Sequence, residues 1–286
     1  MDNSSEQEFF IRDLPDLERN SVSPYLSAVS LILQRHGREL PLFELMGLSG
    51  LCFRFSASRT PEQPKLIAPY ERLLFQALGF VRYSVVDPDT QLRKVKENIR
   101  NGIPVLCCGI FGGVDWGVLT GYRGDELYGK IAGSCTRAAS HYPGLALRLF
   151  DLPAEPLAPQ KAFLASLRLC VESRAPQQGE ADYAAYFGWL TALRQQTVSA
   201  EHSRHLLLRL ARTRQSAALY LKSRRALFSG ASRQLLLDSA KGCARIAMIA
   251  ADSARQPRQL NSSLREILTL EKEIEYNFRF LLDNRK

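Results

Sequence analysis

The chain changes its style of folding once, and the change is written in proline. The segment Asp151-Leu152-Pro153-Ala154-Glu155-Pro156-Leu157-Ala158-Pro159 places three prolines within seven positions. Neither a helix nor a central strand tolerates that density, because each proline removes a backbone donor and restricts the residue before it. Upstream, short apolar runs alternate with turn glycines, the pattern of brief strands mixed with helices. Downstream, apolar residues recur at helical spacing over about 160–174, 181–196, 200–228, 232–254 and 260–283, separated by Pro176-Gln177-Gln178-Gly179, Ser229-Gly230 and Pro257. The expectation is an α+β domain with a small antiparallel sheet over 1–152 and an all-α helical bundle over 153–286. With 286 residues, 45% of them hydrophobic, each half has material for a core of its own.

Charge follows the same boundary. Residues 1–155 carry 17 basic and 18 acidic side chains, whereas 156–286 carry 21 and 11, so the second half holds the whole excess of +9. A polyanion would suit such a surface, but no motif that reads RNA or DNA is present, and solvated arginine on helices is the plainer reading. No nucleic-acid partner is expected. No run approaches the roughly 18 uncharged apolar residues of a membrane helix, and the first eight residues are polar and acidic. A cytoplasmic protein without a membrane partner is the corresponding expectation. The six cysteines are scattered except for Cys107-Cys108, whose side chains point to opposite faces of a strand. Neither a metal site nor a disulfide framework is implied, and no cofactor is expected.

In the first half, Ile103 to Ile110 and Asp115 to Tyr122 read as two paired strands around Gly112-Gly113. Pro24 to His36 reads as a helix with Leu26, Val29, Ile32 and Leu33 on one face, Ser23 as its N-cap and Gly37 at its end.

Two phrases carry a resemblance. Asp115-Trp116-Gly117-Val118-Leu119-Thr120-Gly121-Tyr122, preceded by Gly102-Ile103-Pro104-Val105, is similar to the strand pair of papain-like, bacteriocin-processing cysteine peptidases, in which a His-Trp strand carries the catalytic histidine. Leu45-Met46-Gly47-Leu48-Ser49-Gly50-Leu51-Cys52-Phe53-Arg54-Phe55 resembles a passage of proteins similar to the N-terminal domain of the butirosin-biosynthesis H protein. The resemblance covers about residues 20–150 and implies a papain-like fold with a ligand cleft or an acyl-transfer site. This chain departs from the pattern where the chemistry would lie. Asp115 stands at the histidine position, and no cysteine stands near Ser21 to Pro24, where the nucleophile helix begins. Ser23 would need a base stronger than a carboxylate.

The function expected on these grounds is non-proteolytic: binding of a small molecule or peptide in an interdomain cleft, in specialised metabolism. The alternative is an acyltransferase or amide-forming enzyme, served by an acyl carrier, with Cys52 or Ser23 as nucleophile. The expected cleft is lined by Ser23, Cys52, Phe53, Arg54, Asp115 and Trp116, with Asp115 and Trp116 holding a cationic or hydroxyl-rich ligand.

Other residues carry weaker signals. Arg214 falls on the apolar face of its helix with Leu207, Leu210, Ala211, Ala217 and Leu221, so it must pair with Glu271 or Glu275, or bind an anionic ligand. His36 sits in the last helical turn, where a cation suits the helix dipole. His141 lies in a turn without an evident partner. His202 and His205 share a helical face beside Glu201, a spacing with too few ligands for a metal.

Overall fold

The computed structural model describes residues 8–17, 21–57, 63–83, 88–109, 115–131, 134–138, 146–151, 155–173, 182–256 and 260–284. Gly112-Gly113, His141, Pro176 to Gly179 and Pro257 lie outside the described residues. In chain order the elements begin β1 (Glu8–Phe10), α1 (Pro24–Arg35), α2 (Leu42–Ser49), a 3-10 turn (Leu51–Phe53), α3 (Pro64–Leu78), β2 (Val81–Tyr83), α4 (Pro88–Arg100), β3 (Val105–Cys108) and β4 (Trp116–Arg123). They continue β5 (Glu126–Ile131), β6 (Ser134–Ala138), β7 (Ala146–Asp151), α5 (Pro159–Ser173), α6 (Asp182–Arg194), α7 (Ala200–Ser223), a second 3-10 turn (Arg225–Leu227), α8 (Gly230–Arg255) and α9 (Leu260–Asp283).

Two compact units form, and a single cut does not divide them. The first comprises Met1–Leu42, Glu62–Ala68 and Leu78–Glu155; the second comprises Phe43–Pro61, Pro69–Ala77 and Pro156–Lys286. The expected boundary at 152/153 therefore gives only part of the division, since two segments from the first half of the sequence fold with the helices of the second.

In the first unit the strands run in the order β2-β7-β3-β4-β5-β6, antiparallel throughout, with β1 also paired to β4. Val105 faces Leu119 and Cys108 faces Trp116 across the β3–β4 ladder. Side chains alternate between faces, so Val105, Cys107 and Leu119 share a cluster with Val95 and Ile99 of α4. The other face carries Trp116, which meets Tyr25 of α1 edge-on at 4.9 Å between ring centroids. A register shift between Leu119 and Gly121 changes the alternation, and Tyr122 joins the same cluster as Leu119. Gly117 is required at its position, because a Cβ there would lie 2.3 Å from the Lys130 carbonyl oxygen of the neighbouring strand.

The second unit is helical. Helix α7 packs on α8 and on the Leu51–Phe53 turn, and α9 packs on α5, α6 and α8. Phe53 is inserted between helices, 5.2 Å from the ring of Phe278 and 6.5 Å from that of Tyr220. Gly47 of α2 lies directly against Tyr220, and a Cβ at that position would be 2.0 Å from the ring.

An exposed helical glycine gains roughly 0.5–1 kcal/mol on replacement by alanine, whereas overpacking a core costs typically about 1–3 kcal/mol or more. Gly47→Ala should therefore destabilise the protein, measured as a lower midpoint of chemical denaturation followed by circular dichroism. A raised midpoint would show that α2 and Tyr220 are not in contact.

Candidate functional site

Each expected site residue is positioned by the element that carries it. Ser23 precedes Pro24, whose missing N–H costs nothing at a helix start, and its hydroxyl accepts the Leu26 backbone N–H at 3.1 Å. It is 1% exposed. The Ser21 hydroxyl receives the Ser23 N–H at 3.2 Å and lies 2.5 Å from the Ser27 hydroxyl, completing the turn around the cap. Ser23 thus acts as a buried cap and not as a presented nucleophile.

Asp115 is exposed, its backbone oxygen accepting the Gly109 N–H at 3.1 Å, and its carboxylate makes no hydrogen bond or ion pair among the described residues. Trp116, expected at a cleft mouth as a stacking surface, is 1% exposed. The physical reason is its strand: β4 is flanked by β3 on one side and β5 on the other, and its residues are buried from Trp116 to Tyr122. The indole is therefore a core group beneath α1.

The remaining expected residues belong to the other unit. Cys52 is fully buried in the Leu51–Phe53 turn. Burial pushes its thiol well above the ordinary value, Cys243 and Cys170 add to the rise, and Arg214 opposes it. A thiol in that state is a poor nucleophile. Phe53 is likewise a core residue at 1% exposure. Arg54 is half-buried, with its guanidinium 5.4 Å from the centroid of the Tyr70 ring.

Arg214 is fully buried, so it is not a ligand-binding cation. Its Nε donates to Glu271 Oε1 at 2.6 Å, and its NH1 donates to the carbonyls of Cys52 at 2.7 Å and Arg54 at 3.3 Å. Tyr186 donates to the same Glu271 oxygen at 3.0 Å. Of the two alternatives that its helical face posed, the structure has the pair with α9.

His36 closes α1 through its backbone N–H, which reaches the carbonyls of Ile32 and Leu33. Burial and then the Arg38 charge lower its side-chain pKa, which favours the neutral imidazole over the expected helix-end cation. His205 Nε2 lies 3.8 Å from the Glu201 carboxylate, both being exposed. Among the described residues no group of three or more His, Cys, Asp or Glu side chains is arranged to hold a metal ion.

A concave site lies among the helices of the second unit. A cavity of about 480 Å³ opens in the helical unit, where α6 and α8 end and α7 and α9 begin. Its apolar wall is Leu193, Val198, Leu207, Ala254 and Leu260, and its polar groups are Glu201, Ser203, Arg204, Ser253 and Asn261. The end of α6 turns sharply. Gln196 adopts φ 58°, while the Gln196 and Thr197 N–H groups return to the carbonyls of Leu193 and Ala192. Ser199 caps α7 by accepting the His202 N–H at 3.1 Å. Ser203 sits on the buried face of α7 with Leu206, Leu207 and Leu210, and its hydroxyl is buried without a hydrogen-bond partner among the described residues. Sequence reasoning missed this cavity. The signal it offered was a serine at i, i+3, i+4 and i+7 spacing from leucines, a polar interruption of a packing face.

Two outcomes test these placements. Removing one partner from a buried ion pair costs about 3–5 kcal/mol, so Arg214→Ala should lower stability by that order in urea denaturation. Combining it with Glu271→Ala should cost much less than the sum of the two single changes. In the folded protein, Cys52 and Cys107 should resist a thiol reagent such as dithiobis-nitrobenzoate and react only after unfolding, read by mass spectrometry of the labelled peptides. Labelling of Cys52 in the native state would revive it as a nucleophile.

No protein-family model, curated protein or solved structure matches this chain, so no relative's chemistry transfers to these residues.

Proposed function

We propose that this chain is a non-proteolytic, papain-like protein whose working site is the cavity of its helical unit, where it binds a small molecule. The observation that carries the binding role is the cavity itself, about 480 Å³ of mixed apolar and polar lining that includes a buried, unpartnered serine hydroxyl. That volume falls within the range of small-molecule sites, roughly 300–1,000 Å³, and apolar walls with a few polar groups are their usual lining. A small molecule suits this volume better than a peptide. The papain-like part of the reading is supported by α1 packed on β3 and β4, with Ser23 at the helix start and Asp115 just before the central strand.

The transferase alternative loses its support at both candidate nucleophiles. Ser23 is committed to capping, and Cys52 is buried with a raised pKa. The Asp115 carboxylate makes no hydrogen bond or ion pair among the described residues, so it does not serve Ser23 as a base there.

The environment-sensitive dye N-phenylnaphthylamine, which is uncharged, should bind saturably with enhanced fluorescence. Ala254→Trp, which fills the cavity, should abolish that binding, and Asp115→Ala should leave it unchanged. Loss of binding in Asp115→Ala together with retention in Ala254→Trp would move the site away from the helical unit.

A further inference from the structure

The polar groups of the cavity define the kind of ligand it takes, an inference that rests on the cavity being the binding site. Helix ends do not decide the sign of the ligand's charge, because α7 and α9 begin at the cavity while α6 and α8 end there. Side chains decide it. Glu201, the carboxylate among the lining residues, stands 3.8 Å from His205 one helical turn on, and its side chain is 86% exposed. Arg204 also lines the cavity, and no carboxylate pairs with it among the described residues. A guanidinium is charged at every physiological pH and presents a planar fork of donors that matches a carboxylate in two parallel hydrogen bonds.

Ser203 supplies the second, independent observation. It is 4% exposed, and its hydroxyl has no hydrogen-bond partner among the described residues. A buried polar group left in this state is costly, and the cost is relieved when a ligand supplies the partner. Serine has three staggered χ1 positions, so rotation about one bond re-aims its hydroxyl without moving the helix. Leu193, Val198, Leu207 and Leu260 leave the rest of the space apolar.

We infer that the cavity takes an amphiphile with a carboxylate head, held by Arg204 and Ser203, and an apolar body lying along the leucines. At about 30 Å³ for each water-sized group, the space admits on the order of fifteen non-hydrogen atoms. Medium-chain fatty acids and single-ring aryl carboxylates are of this size.

The test is displacement of bound N-phenylnaphthylamine near neutral pH by decanoate, decanol and decylamine, which share a chain and differ in head group. Decanoate should displace the dye at a concentration roughly tenfold or more below that of decanol, with decylamine weakest, as a charge-assisted hydrogen bond requires. Arg204→Gln should bring decanoate to the level of decanol, both read as displacement from the same variant at its own dye affinity, and Ser203→Ala should weaken decanoate several-fold. If decanol or decylamine equals or betters decanoate in the native protein, the carboxylate inference is overturned although the cavity still binds. If the dye does not bind, or binds equally to Ala254→Trp, the cavity is not the site and both readings fall.

Discussion

The second unit is organised around one buried ion pair. Arg214 and Glu271 sit at 0% and 1% side-chain exposure with 2.6 Å between them. Burying two charges is expensive unless they are paired and hydrogen-bonded further, and here each partner makes further bonds. The arginine also reaches the carbonyls of Cys52 and Arg54, and the glutamate also receives the Tyr186 hydroxyl. Four separate pieces of chain, the Leu51–Phe53 turn and helices α6, α7 and α9, are thereby held in one relative position. Phe55 then stacks on Tyr186 at 4.0 Å with rings only 12° apart, so apolar packing continues outward from the polar centre. Hydrophobic contacts are non-directional; the ion pair supplies direction, fixing which turn of α7 faces which turn of α9.

This arrangement explains why residues that look reactive in the sequence are inert in the structure. Cys52 lies next to the ion pair because its carbonyl is needed there, and its thiol is buried as a consequence. Ser23 is buried because a helix that begins under a sheet needs its first amides satisfied. Trp116 is buried because a large indole on a central strand fills the space beneath α1. In each case a structural demand consumes the group that chemistry would use. An unpartnered polar group, the Ser203 hydroxyl, belongs to the lining of the cavity where four helix ends meet.

Much of the local structure was legible in the sequence. The five helical segments after the proline-rich stretch lie close to where the apolar spacing places them, and the Val105–Cys108 and Trp116–Arg123 strands pair with each other as their β-branched runs suggest. Arg214 was legible as a constrained charge, because a guanidinium at core spacing on a helix must have a partner. What stayed hidden was long-range. No local pattern indicates that residues 43–61 and 69–77 fold with the distant helices, since that choice is made by Glu271, Arg214 and Tyr220 far along the chain. The shift between Leu119 and Gly121, which changes the face of Tyr122, has no sequence mark either. Exposure was the commonest error. An aromatic or thiol near a glycine turn looks available until the sheet or helix that covers it is known.

The interleaved course of the chain has a consequence for how the protein is made. Helical bundles usually assemble from neighbours in sequence and fold fast for that reason. Here the hydrogen bond from Arg214 to the Cys52 carbonyl spans 162 residues, and the one to Arg54 spans 160. The Leu51–Phe53 turn therefore leaves the ribosome long before its arginine is synthesised, and Glu271 follows later still. Until then Phe53 and the cysteine beside it are apolar surface without a cover, the kind of exposed segment that chaperones recognise. The native helical unit closes only after Glu271 has been translated.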